Sequence, residues 1–275
     1  MNLPQNDADR PIGLFDSGFG GLTVMREVVR LLPQENLVYL GDTARLPYGN
    51  KSPETVLRYA LENASFLLEK KIKLLMIPCH TACSHALDIL EEKLEIPVIG
   101  VIQPGFHLLA KATQTNRVAI LGTASTMGSG IYQTLMRQFY PSIEIHPIAC
   151  PLFVPLVEEG FYDHPSAALI AETYLRPLQK KGIDAALLAC THYPLLKPLL
   201  QKILGPDIKL IEPAILCAKQ ARDYLASHAL LNLQKAAPRY EFYASDDPEK
   251  FARLGKIFFE TDIERVERKI WVEKK

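Results

Sequence analysis

Two stretches decide the fold: Leu68-Glu69-Lys70-Lys71-Ile72-Lys73-Leu74-Leu75-Met76-Ile77-Pro78-Cys79 and Leu178-Gln179-Lys180-Lys181-Gly182-Ile183-Asp184-Ala185-Ala186-Leu187-Leu188-Ala189-Cys190. Each closes a helical pattern with a lysine pair, where positive charge suits the negative end of a helix. Each then passes through a short, wholly apolar run, as in strands buried on both faces. Each stops at a cysteine. In open parallel sheets, the carboxyl ends of strands are where ligands bind.

Working outward, the same order of elements precedes both cysteines. In the first half, residues 12–15 read as a strand, 22–32 as a helix closed by Pro33, and 37–40 as a second strand. A long helix opened by Pro53 runs to about residue 71. In the second half, residues 118–121 and 143–148 read as strands around a helix at 129–139. Pro165 opens a helix to about residue 181. Alternating strands and helices predict an α/β fold. Two similar lobes are expected, with mainly parallel sheets flanked by helices and related by pseudo-two-fold symmetry. The active site would lie in the cleft between them. The tail reads as helices at 216–229 and 248–254 around a strand at 240–244, packed back on the first lobe. The expected division is 1–100 plus 213–275 for one lobe and 101–212 for the other.

The bulk properties exclude several functions. Lys plus Arg number 31 and Asp plus Glu number 31, so the net charge is zero and no basic footprint calls for nucleic acid. No apolar run reaches the roughly 20 residues that span a bilayer, and residues 1–10 lack the apolar core of a secretory signal. A cytoplasmic protein is therefore expected. The five widely spaced cysteines are then free thiols rather than a disulfide framework.

Cys79-His80-Thr81-Ala82-Cys83 and Cys190-Thr191-His192-Tyr193-Pro194 each combine a thiol, a hydroxyl and an imidazole. A thiol titrates near 8.5, and its neighbours can move that value, so cysteine serves as base or acid. Inverting a carbon by proton transfer needs one such group on each face, and two facing lobes deliver that geometry. Taken singly, a cysteine is more often a small core residue, and that reading is kept for Cys83, Cys150 and Cys217. Asp16-Ser17 alone would suit a helix N-cap. Gly18-Phe19-Gly20 with Asp42 suggests a dinucleotide site, but Thr23 stands where its third glycine belongs. A zinc site from Cys79, Cys83, Cys190 and His192 is the main competing chemistry.

Six segments occur in order over nearly the whole chain: Asp16-Ser17-Gly18-Phe19-Gly20-Gly21-Leu22, Tyr39-Leu40-Gly41-Asp42, Pro47-Tyr48-Gly49, the Cys79 segment, Phe153-Val154-Pro155-Leu156-Val157-Glu158 and the Cys190 segment. Together they resemble glutamate racemases. The resemblance implies two α/β lobes and interconversion of L- and D-glutamate without pyridoxal phosphate or another cofactor, supplying D-glutamate for peptidoglycan. It implies that Cys79 removes the α-proton of D-glutamate and Cys190 that of L-glutamate. Asp16 would assist Cys79, while His192 and Glu158 would assist Cys190. Substrate would be bound by Asp16, Ser17, Tyr48, Gly49, His80, Thr81, Thr191 and His192. The family often forms homodimers. One departure is His80, where the family has Asn. An imidazole that charges near neutral pH would favour a Cys79 thiolate but crowd the substrate. A related acidic substrate, or a glutamate-binding protein with weak turnover, are the outcomes that His80 leaves open.

Overall fold

The computed structural model describes residues 7–271. The first half runs β1 (Ile12–Asp16), α1 (Leu22–Leu31), β2 (Leu37–Gly41), α2 (Pro53–Glu69), β3 (Leu74–Ile77), α3 (His80–Lys93), β4 (Val98–Gly100) and α4 (Ile102–Ala112). The second runs β5 (Arg117–Gly122), α5 (Ala124–Gly128), α6 (Ile131–Phe139), β6 (Glu144–Ala149), α7 (Phe153–Glu158), α8 (Pro165–Leu175), β7 (Ala185–Ala189), α9 (Lys197–Leu204), β8 (Lys209–Ile211) and α10 (Ala214–Ser227). The tail adds β9 (Tyr240–Ala244), α11 (Pro248–Phe259) and β10 (Glu267–Arg268).

Two sheets result, and every strand pair in them is parallel. Their orders are β10-β9-β2-β1-β3-β4 and β6-β5-β7-β8. The four-stranded cores β2-β1-β3-β4 and β6-β5-β7-β8 repeat one topology, so the halves match strand for strand. β1, β2, β3 and β7 are buried along their whole length, which explains their unbroken apolar runs. The helices after the fourth strands cross over. α4 follows β4 yet packs on β7 and β8, and α10 follows β8 yet packs on α1 and β4.

Local chemistry sets the element ends. Ser52 accepts a hydrogen bond from the Thr55 amide (3.3 Å) and Pro53 fills the first turn of α2. The helix opened by Pro165 stops at Leu175 rather than near residue 181, and a 3-10 turn (Arg176–Leu178) follows. Pro177 has no N–H to continue the α-helical ladder. The tail helix runs past residue 254 to Phe259 because Phe258, packed on His192, and Phe259, packed on Phe242, are both buried. Among the described residues no helix is long and apolar enough to cross a membrane.

Candidate active site

The carboxyl ends of the two sheets meet over one cavity of about 20 Å³, room for about one water molecule. Its walls include Ser17, Tyr48, Gly49, Cys79, His80 and Thr81 from the first half, with Cys190, Thr191 and His192 from the second. Asp16 and Glu158 stand next to lining residues rather than in the wall itself. Both cysteines are buried, and they open on the same cavity.

Two glycines permit the close approach of the halves. A Cβ on Gly20 would lie 2.3 Å from Thr191 Oγ1 and 2.8 Å from His192 Nδ1. One on Gly49 would lie 2.6 Å from Thr123 Cβ. Across the same seam, Thr81 Oγ1 lies 2.9 Å from Thr123 Oγ1 and 3.0 Å from Thr126 Oγ1, forming a hydroxyl triangle.

Cys79 caps α3, where its sulfur accepts from the Ala82 amide at 3.4 Å. Burial pushes its thiol well above the ordinary value and the Asp16 carboxylate adds to this, while the Ala82 and Ser17 amides pull the other way. Asp16 Oδ2 accepts from the Gly21 amide (2.9 Å) and the Gly18 amide (3.4 Å), fixing the turn into α1. Asp16 Oδ1 is buried without a hydrogen-bond partner, so one oxygen is uncommitted.

The second thiol has a different neighbourhood. Cys190 Sγ lies 3.9 Å from His192 Nδ1, and His192 Nε2 lies 2.9 Å from Glu158 Oε1. Burial opposes charge on this imidazole, but Cys190 and Glu158 outweigh it and raise His192 to about 10. Phe258 of α11 packs edge-on against the ring, 5.4 Å between centroids.

The competing chemistries do not fit this geometry. Cys83 turns away from the cavity, its thiol donating to the Ile77 carbonyl at 3.0 Å, and it lines a separate pocket with His85 and Thr134. The four zinc ligands expected from sequence therefore do not converge. Among the described residues no three His, Cys, Asp or Glu side chains are grouped to hold a metal. Asp42, the ribose ligand of the dinucleotide reading, has its carboxylate taken up by Arg45, Tyr48, Ser245 and Trp271.

The profile of the Asp/Glu/Hydantoin racemase family matches residues 12–221. A glutamate racemase of Geobacter metallireducens is 46% identical to this chain, covering 90% of it and 92% of the relative. The chain belongs to the glutamate racemases. Solved members agree in three dimensions. The glutamate racemase of Francisella tularensis, crystallised with D-glutamate, superposes with a TM-score of 0.90 at 39% identity, over 95% of this chain and 97% of that one. That of Thermus thermophilus, in complex with β-chloro-D-alanine, gives 0.86 at 40% identity, over 96% and 98%.

In this glutamate racemase the departure at His80 takes a form that the sequence did not foretell. Both ring nitrogens are buried without a hydrogen-bond partner, and burial pushes the imidazole down to about 3. His80 is therefore neutral at physiological pH, so the protonated form that would favour a Cys79 thiolate is not the one present. Tyr48 lines the cavity, while its hydroxyl donates to Asp42 and accepts from Asn63 Nδ2 (3.0 Å). Sequence reasoning did not single out Thr123, Thr126 or Trp271. Thr123 follows β5 as Ser17 follows β1, and that matched place in the two halves was the available signal.

Proposed function

We propose that this protein interconverts L- and D-glutamate, with Cys190 and Cys79 as the two acid–base groups and no bound cofactor. The observation that carries the reading is that both thiols open on one cavity from opposite halves of the molecule. In the L to D direction, the Cys190 thiolate takes the α-proton, aided by the His192 imidazolium that Glu158 holds in place. The Cys79 thiol then gives its proton to the opposite face of the carbanion. This leaves a Cys79 thiolate and a Cys190 thiol, the state required for D-glutamate. The reverse direction uses the same groups in exchanged roles, with Asp16 behind Cys79. Buried donors stabilise the carbanion best where water is excluded. Glutamate is larger than the cavity, so binding requires the two halves to part and close again.

This chemistry supports a cytoplasmic enzyme that makes D-glutamate for peptidoglycan. The site also supports the division into residues 1–100 with 213–275 and residues 101–212, since each part brings one cysteine. The test is circular dichroism of L-glutamate with the cofactor-free protein, together with deuterium incorporation at the α-carbon. Racemisation is expected, with Cys79→Ala and Cys190→Ala each losing roughly 10³-fold in rate, the scale of a lost general base. Undiminished racemisation in both variants sinks the two-thiol reading. Tight binding without exchange in the parent points instead to a glutamate-binding protein, and faster turnover of aspartate to a different acidic substrate.

A further inference from the structure

Behind the cavity wall lies a buried polar cluster that the proposed chemistry does not use. At its centre is Asp42, fully buried just after β2. Asp42 Oδ2 accepts from Arg45 Nε (2.7 Å) and from the Tyr48 hydroxyl. Asp42 Oδ1 accepts from Ser245 Oγ (2.8 Å) and from the indole N–H of Trp271 (3.0 Å). The Arg45 guanidinium lies between two rings, 4.1 Å from the centroid of Tyr59 and 4.2 Å from that of Trp271. Both contacts suit a cation over an aromatic face. Asn63 closes the circuit, accepting from Arg45 at 3.2 Å and donating to the Tyr48 hydroxyl.

Tyr48 links this cluster to the chemistry. Its hydroxyl is held by Asp42 while the residue itself lines the cavity. The next residue is Gly49, which abuts Thr123 across the seam between the halves. A shift of the tyrosine therefore moves the wall facing Cys79 and the contact between the lobes together. Positioning groups of this kind govern rate, because displacements near 1 Å can cost about 100-fold.

Trp271 reaches the cluster from the far end of the chain. The preceding backbone adds only a two-residue edge strand, β10, with Lys269 N donating to the Ala244 carbonyl at 2.8 Å. Glu267 and Arg268 are exposed. So short an edge strand contributes little hold; Arg268 pairs with Asp246 and Lys269 lies over Phe66, but of the strap's side chains the indole is the one that reaches Asp42. We propose that Trp271 is a positioning residue: it clamps the C-terminal strap onto Asp42 and Arg45 and thereby sets the Tyr48–Gly49 wall for proton transfer. The proposal rests on the racemase reading of the cavity for its kinetic consequence but not for its structural one.

Two variants and two readouts test it. Trp271→Ala removes both the ring and its N–H; Trp271→Phe keeps a ring over Arg45 and removes only the bond to Asp42. In Trp271→Ala, kcat for both glutamate enantiomers is expected to fall roughly tenfold with a smaller rise in KM, as for a displaced positioning group, with Trp271→Phe in between. The second readout needs no turnover. Alkylation of Cys79 by iodoacetamide, followed by mass spectrometry, is expected to quicken several-fold in Trp271→Ala. Cys217, buried in α10, should stay at the parent rate. Unchanged kcat and unchanged Cys79 alkylation, with only a lower melting temperature, overturn the proposal and leave Trp271 a packing residue. Equal acceleration at Cys217 also overturns it, because that reports general loosening. If Trp271→Ala does not fold, Trp271→Phe decides by the same two measurements. A parent without glutamate racemisation defeats the racemase reading, and alkylation still decides the strap.

Discussion

His80 and His192 are both nearly sealed from solvent, yet their surroundings drive them in opposite directions. His192 has a sulfur on one ring nitrogen and a carboxylate on the other, which raise it to about 10 despite burial. His80 has no partner at either nitrogen, and burial alone lowers it to about 3. For His192 the folded value lies above the unfolded one, so its contribution to stability is full below about 6.5 and is lost as pH rises through about 10. The same deprotonation should form the basic limb of the rate profile for L-glutamate. Glu158→Gln, which removes the carboxylate, is expected to bring that limb down by at least one pH unit; a pH–rate series checks it, and an unmoved limb refutes the assignment. For His80 the sign reverses. The unfolded chain takes up a proton below about 6.5 that the folded protein refuses until about 3, so acid favours unfolding across that window. His80→Asn should shift the acid-unfolding midpoint to lower pH, as followed by far-ultraviolet circular dichroism. The cysteines and His192 were legible in the sequence because they sit at matched strand ends. The neutrality of His80 was not, because it depends on what surrounds a ring after folding.

At the scale of elements, the turn from β1 into α1 carries the tightest constraint. Gly20 lies so close to Thr191 and His192 that a methyl group there would meet atoms at 2.3 and 2.8 Å. Gly20→Ala should hold the halves apart at the site while leaving each sheet intact. A loss of roughly 100-fold in kcat/KM is expected from such misplacement, with a thermal midpoint close to the parent; near-parent activity would show that the seam can yield. The strands on either side were readable as apolar runs, since burial on both faces leaves no polar interruption. α3, β4 and α4 were not. α3 begins with Cys79 as its cap and spends its first turn on active-site residues, so polar and apolar positions mix where a helical stripe would begin. β4 is three residues long, too short for a pattern to form. The early end of α8 at Leu175 could have been read from Pro177, whereas the extension of α11 to Phe259 required knowing which lobe it packs on.

Over the whole molecule, the exchange of α4 and α10 between the two sheets makes each half incomplete without the other. The first half is also fastened at the end opposite the active site. Lys73, at the start of β3, is buried and pairs with Glu35 at 2.5 Å. Its ammonium also donates to the carbonyls of Ala8 and Leu230. Glu35 Oε1 accepts from the Asn232 amide at 2.8 Å. One ion pair thus joins the N-terminal segment, the loop before β2, the third strand and the segment between α10 and β9. Burial lowers the Lys73 pKa and Glu35 offsets part of that, as for a charge tolerated only because it is paired. Removing one partner should therefore cost more than removing both charges. Lys73→Met is expected to lose about 3–5 kcal/mol in urea unfolding, the scale for a buried charge left alone. Lys73→Met with Glu35→Gln should recover most of it, since glutamine still accepts from the Asn232 amide and carries no charge. A single variant within about 1 kcal/mol of the parent, the value of an exposed pair, would mean that water reaches Glu35 and that the fastening is looser than its burial implies.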